Sequence, residues 1–287
     1  MQTDYSKRAK VHFAEGRLDH ALIDLRNSTD EGFKAEVLAR KESADCYRKA
    51  KMCERVGENA TRKEDYDGVI RAYTKAIDLH RSVQITQLYD KINSLTVNSH
   101  IRDTSFCYIS RAKAYFEKKD YDSAIADSEK ATGFRTAASC LESLAYLEKG
   151  DYDAVIKICD REDWWHLYPI AAQAWLKKGN YPFAIEKCRK AIKAARKDEN
   201  LQVCAWAHFI LGKARFFDGK RVFAKKDCEK ALEEVAKAEW DYTWEAAEAR
   251  YKNEGKFAYF SRKIKKIRGL RGKIDEFLAH FLHNNKY

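Results

Sequence analysis

The chain has 287 residues, 45% of them hydrophobic and 34% charged, and a net charge of +11. That apolar share can build a sizeable core and excludes wholesale disorder, while two prolines and 12 glycines are too few for a turn-rich β fold. No apolar run approaches the length of a membrane-spanning helix, and the charged start Met1-Gln-Thr-Asp-Tyr-Ser-Lys-Arg holds no apolar signal core, which together point to a cytoplasmic chain.

Small and aromatic residues recur along the sequence at helical spacing. Ala9, Leu18, Ala21 and Ser28 form a first, weak copy. Tyr66, Val69, Tyr73 and Ala76 form a second, in Asp65-Tyr-Asp-Gly-Val-Ile-Arg-Ala-Tyr-Thr-Lys-Ala-Ile. The pattern then becomes regular. Ala112, Tyr115, Tyr121, Ala124 and Ala131 set a template that returns at Ser143, Tyr146, Tyr152 and Val155, and again at Ala172, Trp175, Tyr181, Ala184 and Ala191. Gly212, Ala224 and Ala231 repeat its small positions, with Arg215 and Arg221 in place of the aromatics. Such spacing predicts helical hairpins, because small residues at facing sites let two antiparallel helices approach closely. The second aromatic follows a polar turn, as in Lys119-Asp120-Tyr121, Gly150-Asp151-Tyr152 and Gly179-Asn180-Tyr181.

From Leu18 through Tyr66, Tyr121, Tyr152, Tyr181, Arg221 and Phe257 the turn position advances by 48, 55, 31, 29, 40 and 36 residues. The first two steps predict lengthened helices or extra loops within 31–64 and 80–103. Three segments result: irregular repeats with insertions over 1–103, a regular array over 104–235, and a degenerate last repeat (Tyr251, Phe257, Phe260) with a basic amphipathic helix over 236–287. No proline closes each repeat, so second helices could run on into the next first helix.

The C-terminal segment carries much of the charge, with 11 Lys/Arg against three Asp/Glu over 250–287. Ile264, Ile267, Leu270, Ile274, Phe277, Leu278, Phe281 and Leu282 share one helical face. Lys263, Lys265, Lys266, Arg268, Arg271 and Lys273 surround it. One reading is a terminal helix that closes the repeat core, which Gly269 and Gly272 could break in two. Another is docking on nucleic acid or an anionic membrane. A third use of an apolar end is self-association.

Eight cysteines include no Cys-x-x-Cys pair. Cys159, Cys188 and Cys228 each follow the small second-helix residue by four positions, which predicts core packing rather than redox chemistry. Cys204 with His208, and His280 with His283, have helical ligand spacing but no third ligand in sequence. Phosphate-binding Gly-rich loops, His-Glu-x-x-His and Gly-x-Ser-x-Gly are all absent. The expectation is a chain without enzymatic activity, metal or cofactor.

The segments Tyr108-Ile-Ser-Arg-Ala-Lys-Ala-Tyr-Phe-Glu-Lys-Lys-Asp-Tyr-Asp-Ser-Ala-Ile and Ala171-Ala-Gln-Ala-Trp-Leu-Lys-Lys-Gly-Asn-Tyr-Pro-Phe-Ala-Ile resemble the tetratricopeptide-repeat family. The resemblance implies an all-α, right-handed solenoid of about seven hairpins with a C-terminal capping helix. It also implies a scaffold that binds another protein or peptide on a concave wall made by the first helices. The wall positions it assigns are Ile109, Lys113 and Phe116, then Cys140, Leu144 and Leu147, then Gln173 and Leu176, then Phe209, Lys213 and Phe216. Seven of these eleven are Ile, Leu or Phe, which suits an amphipathic helix or another hydrophobic segment. An open wall of that kind requires Phe116, Leu147 and Phe209 to be uncovered. Capture of a chaperone C-terminal carboxylate, known in the family, is disfavoured, because Ser110, Leu141 and Ala137 stand where Asn, Arg and Lys would be needed.

Overall fold

The computed structural model describes residues 5–26, 28, 30–89, 94–251 and 257–283, with the side chains at 84–89, 94–100, 244, 246–251, 257–261 and 281–283 left undescribed. The elements in chain order are α1 (Tyr5–Ala14), α2 (Leu18–Leu25), α3 (Glu31–Arg62), α4 (Tyr66–Tyr89), α5 (Ser94–Glu117), α6 (Tyr121–Lys130), α7 (Arg135–Lys149), α8 (Tyr152–Glu162), α9 (Tyr168–Lys177), α10 (Tyr181–Lys197), α11 (Leu201–Phe217), α12 (Arg221–Tyr251) and α13 (Phe257–His283). Two short 3-10 turns, Thr132–Phe134 and Trp165–Leu167, complete the order, and no strand occurs among the described residues. Consecutive helices pack side by side from α1 through α6 and from α8 through α13. No described helix is long and apolar enough to cross a membrane.

The chain divides into two compact units, Met1–Ala138 and Ser139–Tyr287. This division lies inside the stretch whose spacing is regular.

In the first unit, Ala9, Ala21, Leu25 and Val37 are buried together, with Phe13, Leu18, Leu22 and Phe33 around them. A second core joins α3, α4 and α5 through Ala60, Val69, Tyr73, Ala76, Ile77, Cys107 and Ala114. Helix α3 has 32 residues, and α4 and α5 have 24 each. These lengths account for the two long sequence steps. Gly57 lets α3 lie flat on α4, because a Cβ there would stand 2.6 Å from the buried Tyr73 ring. Burial holds the Tyr73 phenol un-ionised, with its pKa pushed up to about 12.

In the second unit, three cores follow one another. Leu147, Val155, Cys159 and Leu167 belong to the first, Ala172, Ala184, Cys188, Ala191 and Ala207 to the next, and Ala205, Phe209, Cys228, Ala231, Val235, Ile267 and Ile274 to the last. Helix α12 continues through Tyr251, and α13 begins at Phe257 and runs unbroken past Gly269 and Gly272. The side chains of Tyr251, Phe257, Phe260, Phe281, Leu282 and His283 lie outside the described residues.

The hairpin turns share one construction. A residue in the left-handed region ends the first helix: Glu64, Lys119, Gly150, Gly179 and Gly219 have φ of 57°, 64°, 83°, 77° and 78°. At four of these turns an Asp or Asn follows, and its side chain accepts from a backbone N–H three residues on. These bonds run from Gly68 to Asp65, Ser123 to Asp120, Ala154 to Asp151 and Phe183 to Asn180. Two second helices end in the same way without a proline, α8 at Asp163 with φ of 45° and α10 before Glu199 with φ of 52°, so neither runs on into the next first helix.

Candidate polypeptide-binding surface

The wall positions divide sharply by burial. In the first unit Ile109 is buried with Ala131 and Ala138, Lys113 is exposed, and Phe116 is half-buried, edge-on to Tyr121 at 5.6 Å. In the second unit Leu147 lies in the core, while Cys140, Leu144, Gln173 and Leu176 are half-buried. Phe209 is buried, and Lys213 and Phe216 are half-buried. Ile109, Leu147 and Phe209 are therefore packing residues, not open contact positions. Their burial arises because the same face of each first helix also meets a neighbouring helix.

Helix α13 covers the last part of that wall. Ile267 and Ile274 are fully buried on it, among Ala231, Val235 and Ala238 of α12. The Phe277 ring sits edge-on to Phe209 at 6.0 Å and to Phe216 at 5.5 Å. Lys213 Nζ stands 4.8 Å from the Phe209 ring centre and 5.7 Å from that of Phe277. Burial, reinforced by Lys177 and Lys273, holds the Lys213 ammonium below the usual lysine range.

Three of the six cations assigned to an anionic partner are engaged on α12. Arg268 and Arg271 donate to Glu239 at 2.6 and 3.3 Å, and Lys263 lies over the Tyr242 ring at 4.6 Å. Lys265, Lys266 and Lys273 are exposed.

Sequence reasoning missed two features. The first is a buried polar cluster joining α3, α4 and α5. His80 Nε2 lies 2.6 Å from Glu54 Oε1, and the Cys107 thiol donates to the same oxygen at 3.7 Å. Lys51 bridges Glu54 and Asp103 at 3.0 and 2.8 Å, and Tyr47 donates to Asp103 at 3.2 Å. Glu54, His80 and Cys107 place ligand atoms within 4.8 Å of one another, a set that could hold a metal ion. The Lys51 ammonium already supplies Glu54 with a positive partner, and burial, with Glu54 beside it, drives the Cys107 thiol pKa strongly up. We read the cluster as a hydrogen-bond network that ties three helices together. Burial alone would raise the Glu54 carboxyl, but the bonds from His80 and Lys51 outweigh it and hold the pKa low. A signal was present in sequence, since Glu54 interrupts the buried stripe Ala50, Gly57 and Ala60 of α3 at helical spacing.

The second missed feature is a row of exposed aromatics at the turns of the second unit. Trp175 stacks on Phe183 at 5.0 Å, and Tyr181 on Phe217 at 6.0 Å. Phe183, Phe217, Val222 and Phe223 are 48%, 54%, 82% and 59% exposed.

Cys204 and His208 share no metal set among the described residues. The Cys204 thiol faces the Ile192 carbonyl at 4.0 Å, while Arg196 donates to His208 Nε2 at 3.3 Å. Burial, then Arg196, pushes the imidazole down to about 4. Glu234 lies 3.6 Å from the same ring nitrogen, its Oε2 lacks a hydrogen-bond partner, and burial raises its carboxyl to about 7. A carboxyl raised on folding gives its full stability below the ordinary carboxylate range and loses it as pH rises through the folded value. Glu234→Gln is therefore expected to match the wild type near pH 4.5 and to exceed it by on the order of 2 kcal/mol above pH 7. Urea titrations across that range check this, and a less stable variant at pH 7 would mean that Glu234 is charged and paired.

Solved structures to which the chain is similar include the following two. A crystal structure of MamA protein is 21% identical, covering 66% of this chain and 93% of that one, with a TM-score of 0.46. The apo form of RapI is 14% identical, covering 94% of this chain and 98% of that one, with a TM-score of 0.49. No family model and no curated protein matches the chain.

Proposed function

We propose that the chain is a non-enzymatic scaffold that holds a polypeptide segment, an amphipathic helix, against the first helices of its second unit. The observation that supports this is the seat of α13. An amphipathic helix of the chain itself rests Phe277 against Phe209 and Phe216 beneath Lys213. Gln173 and Leu176 occupy the repeat positions equivalent to Lys213 and Phe216, and Leu144 is equivalent to Gln173. They carry similar surface without α13 over them in the described contacts. A helix laid along such positions is a common peptide-recognition mode.

The test is capture from native cell extract by the full chain and by Gln173→Glu/Leu176→Glu, with helical circular dichroism confirming both folds. A protein held by the wild type and lost by the variant is the expected result. An unchanged set of bound proteins would remove the wall from the function. Docking on nucleic acid or an anionic membrane through α13 is the weaker reading, because α12 engages Lys263, Arg268 and Arg271.

A further inference from the structure

The turn edge of the second unit carries a surface that adjoins the first-helix wall where Phe217 meets Phe216 at 5.4 Å and extends beyond it. The α9–α10 and α11–α12 turns lie side by side, since Tyr181 at the start of α10 stacks on Phe217 at the end of α11. Phe183 and Phe217 project there, and Val222 and Phe223 extend the patch along the first turn of α12. A group of apolar side chains at neighbouring turns, two of them held by stacked rings and all 48% or more exposed, marks a contact site more than scattered exposure does.

The rim is basic. Between residues 215 and 226 the sequence has five Lys/Arg and one acid, Asp218. Arg215 is committed to Asp227 at 2.7 Å and Lys220 to Asp218 at 2.6 Å. Arg221, Lys225 and Lys226 are exposed, Arg221 over the Phe216 ring at 5.8 Å and Lys225 3.9 Å from Glu229, and the two lysines stand one helical turn beyond Val222. Lys177 adds an exposed cation from the neighbouring turn.

We propose that this edge docks an acidic amphipathic segment of a partner polypeptide, with its apolar side chains on Phe183, Phe217, Val222 and Phe223 and its carboxylates on the surrounding lysines and arginines. The proposal rests on the polypeptide-holding reading above but uses a different face. Charge complementarity selects the occupant. A second copy of the chain would bring +11 to a basic rim. A nucleic-acid strand needs open ring faces for base stacking, whereas here Phe183 and Phe217 each stack on a neighbouring ring, the Arg215 guanidinium lies over Phe223 at 5.6 Å, and the most exposed member is aliphatic.

The experiment is a peptide-display selection of random segments on the full chain. Binding of the selected peptides is then measured by fluorescence anisotropy, with an oligo(dT) strand as competitor. The expected peptides are net acidic with helically spaced apolar residues. Val222→Asp/Phe223→Asp, both at exposed sites, weakens them about tenfold or more, rising salt weakens them further, and Gln173→Glu/Leu176→Glu leaves them bound. The proposal is overturned if no acidic class is selected, if the edge variant binds it unchanged, or if oligo(dT) binds the edge and displaces it. Peptides lost only by the Gln173/Leu176 variant would overturn the edge and leave the first-helix wall standing. Peptides lost only by the edge variant support the edge, and the first-helix wall is then decided by the capture experiment on its own variant.

Discussion

Gly212→Ala is expected to destabilise the chain by about 2 kcal/mol, the cost of overpacking a close helix contact. The Cβ it introduces would lie 2.6 Å from Cys228 Sγ and 3.1 Å from the Ala224 carbonyl oxygen. The sulfur belongs to a fully buried side chain and the oxygen to helix backbone, so neither can give way at low cost. The repeat pattern itself would advise the opposite change, since Ala112, Ser143 and Ala172 hold the equivalent position. The hairpins with Ser143 and Ala172 also carry a cysteine at the Cys228 position, Cys159 and Cys188, yet accommodate a Cβ. Helices α11 and α12 therefore meet more closely here than the template requires. Urea denaturation of Gly212→Ala, Cys228→Ala and the pair together checks the cause. The double variant should lose less than the sum of the two, because shortening Cys228 relieves the nearer contact. Strict additivity would place the strain elsewhere.

Glu54→Ala has the second large effect, roughly 3 kcal/mol, because it breaks a buried charged network while leaving its partners in place. Lys51 keeps Asp103 at 2.8 Å, but the buried His80 ring and the Cys107 thiol lose their common acceptor. Because folding holds the Glu54 carboxyl below its ordinary value, its contribution is present above the usual carboxylate range and is lost as pH falls through the folded value. The gap between wild type and variant should thus be full near pH 7 and shrink in acid. A constant gap would mean that packing, not charge, ties α3 to α4 and α5.

The hairpin scaffold was legible because its determinants are local. Small residues at fixed steps, an Asp or Asn before a tyrosine, and a turn residue able to adopt positive φ each act within a few positions of chain. Ala112, Ala124, Ala172, Ala184, Ala224 and Ala231 are all fully buried where the template put them. Cys159, Cys188 and Cys228 are likewise fully buried, as their shared register required. The functional surface was less legible because it depends on which neighbour arrives. The register that places Leu147 and Phe209 on first helices is the same for an open wall and a covered one. Only the packing of the adjoining hairpin, or of α13, decides between them. Phe217 and Phe223 read as ordinary helix-end hydrophobics until two turns lie beside each other. The Glu54 cluster needs residues 26 and 53 positions apart, beyond the reach of any spacing rule.

The three aligned cysteines give the second unit a built-in record of its own breathing. Each thiol sits in a different consecutive hairpin, and burial raises all three pKa values, to about 12 for Cys159 and Cys228 and strongly upward for Cys188. A folded hairpin therefore offers an alkylating reagent almost no thiolate. Modification must wait for the helix pair around each sulfur to part, so the labelling rate of each cysteine measures the opening free energy of its own hairpin. Because repeat arrays are stabilised mainly by nearest neighbours, the order in which Cys159, Cys188 and Cys228 react would reveal whether the second unit opens from one end or all at once.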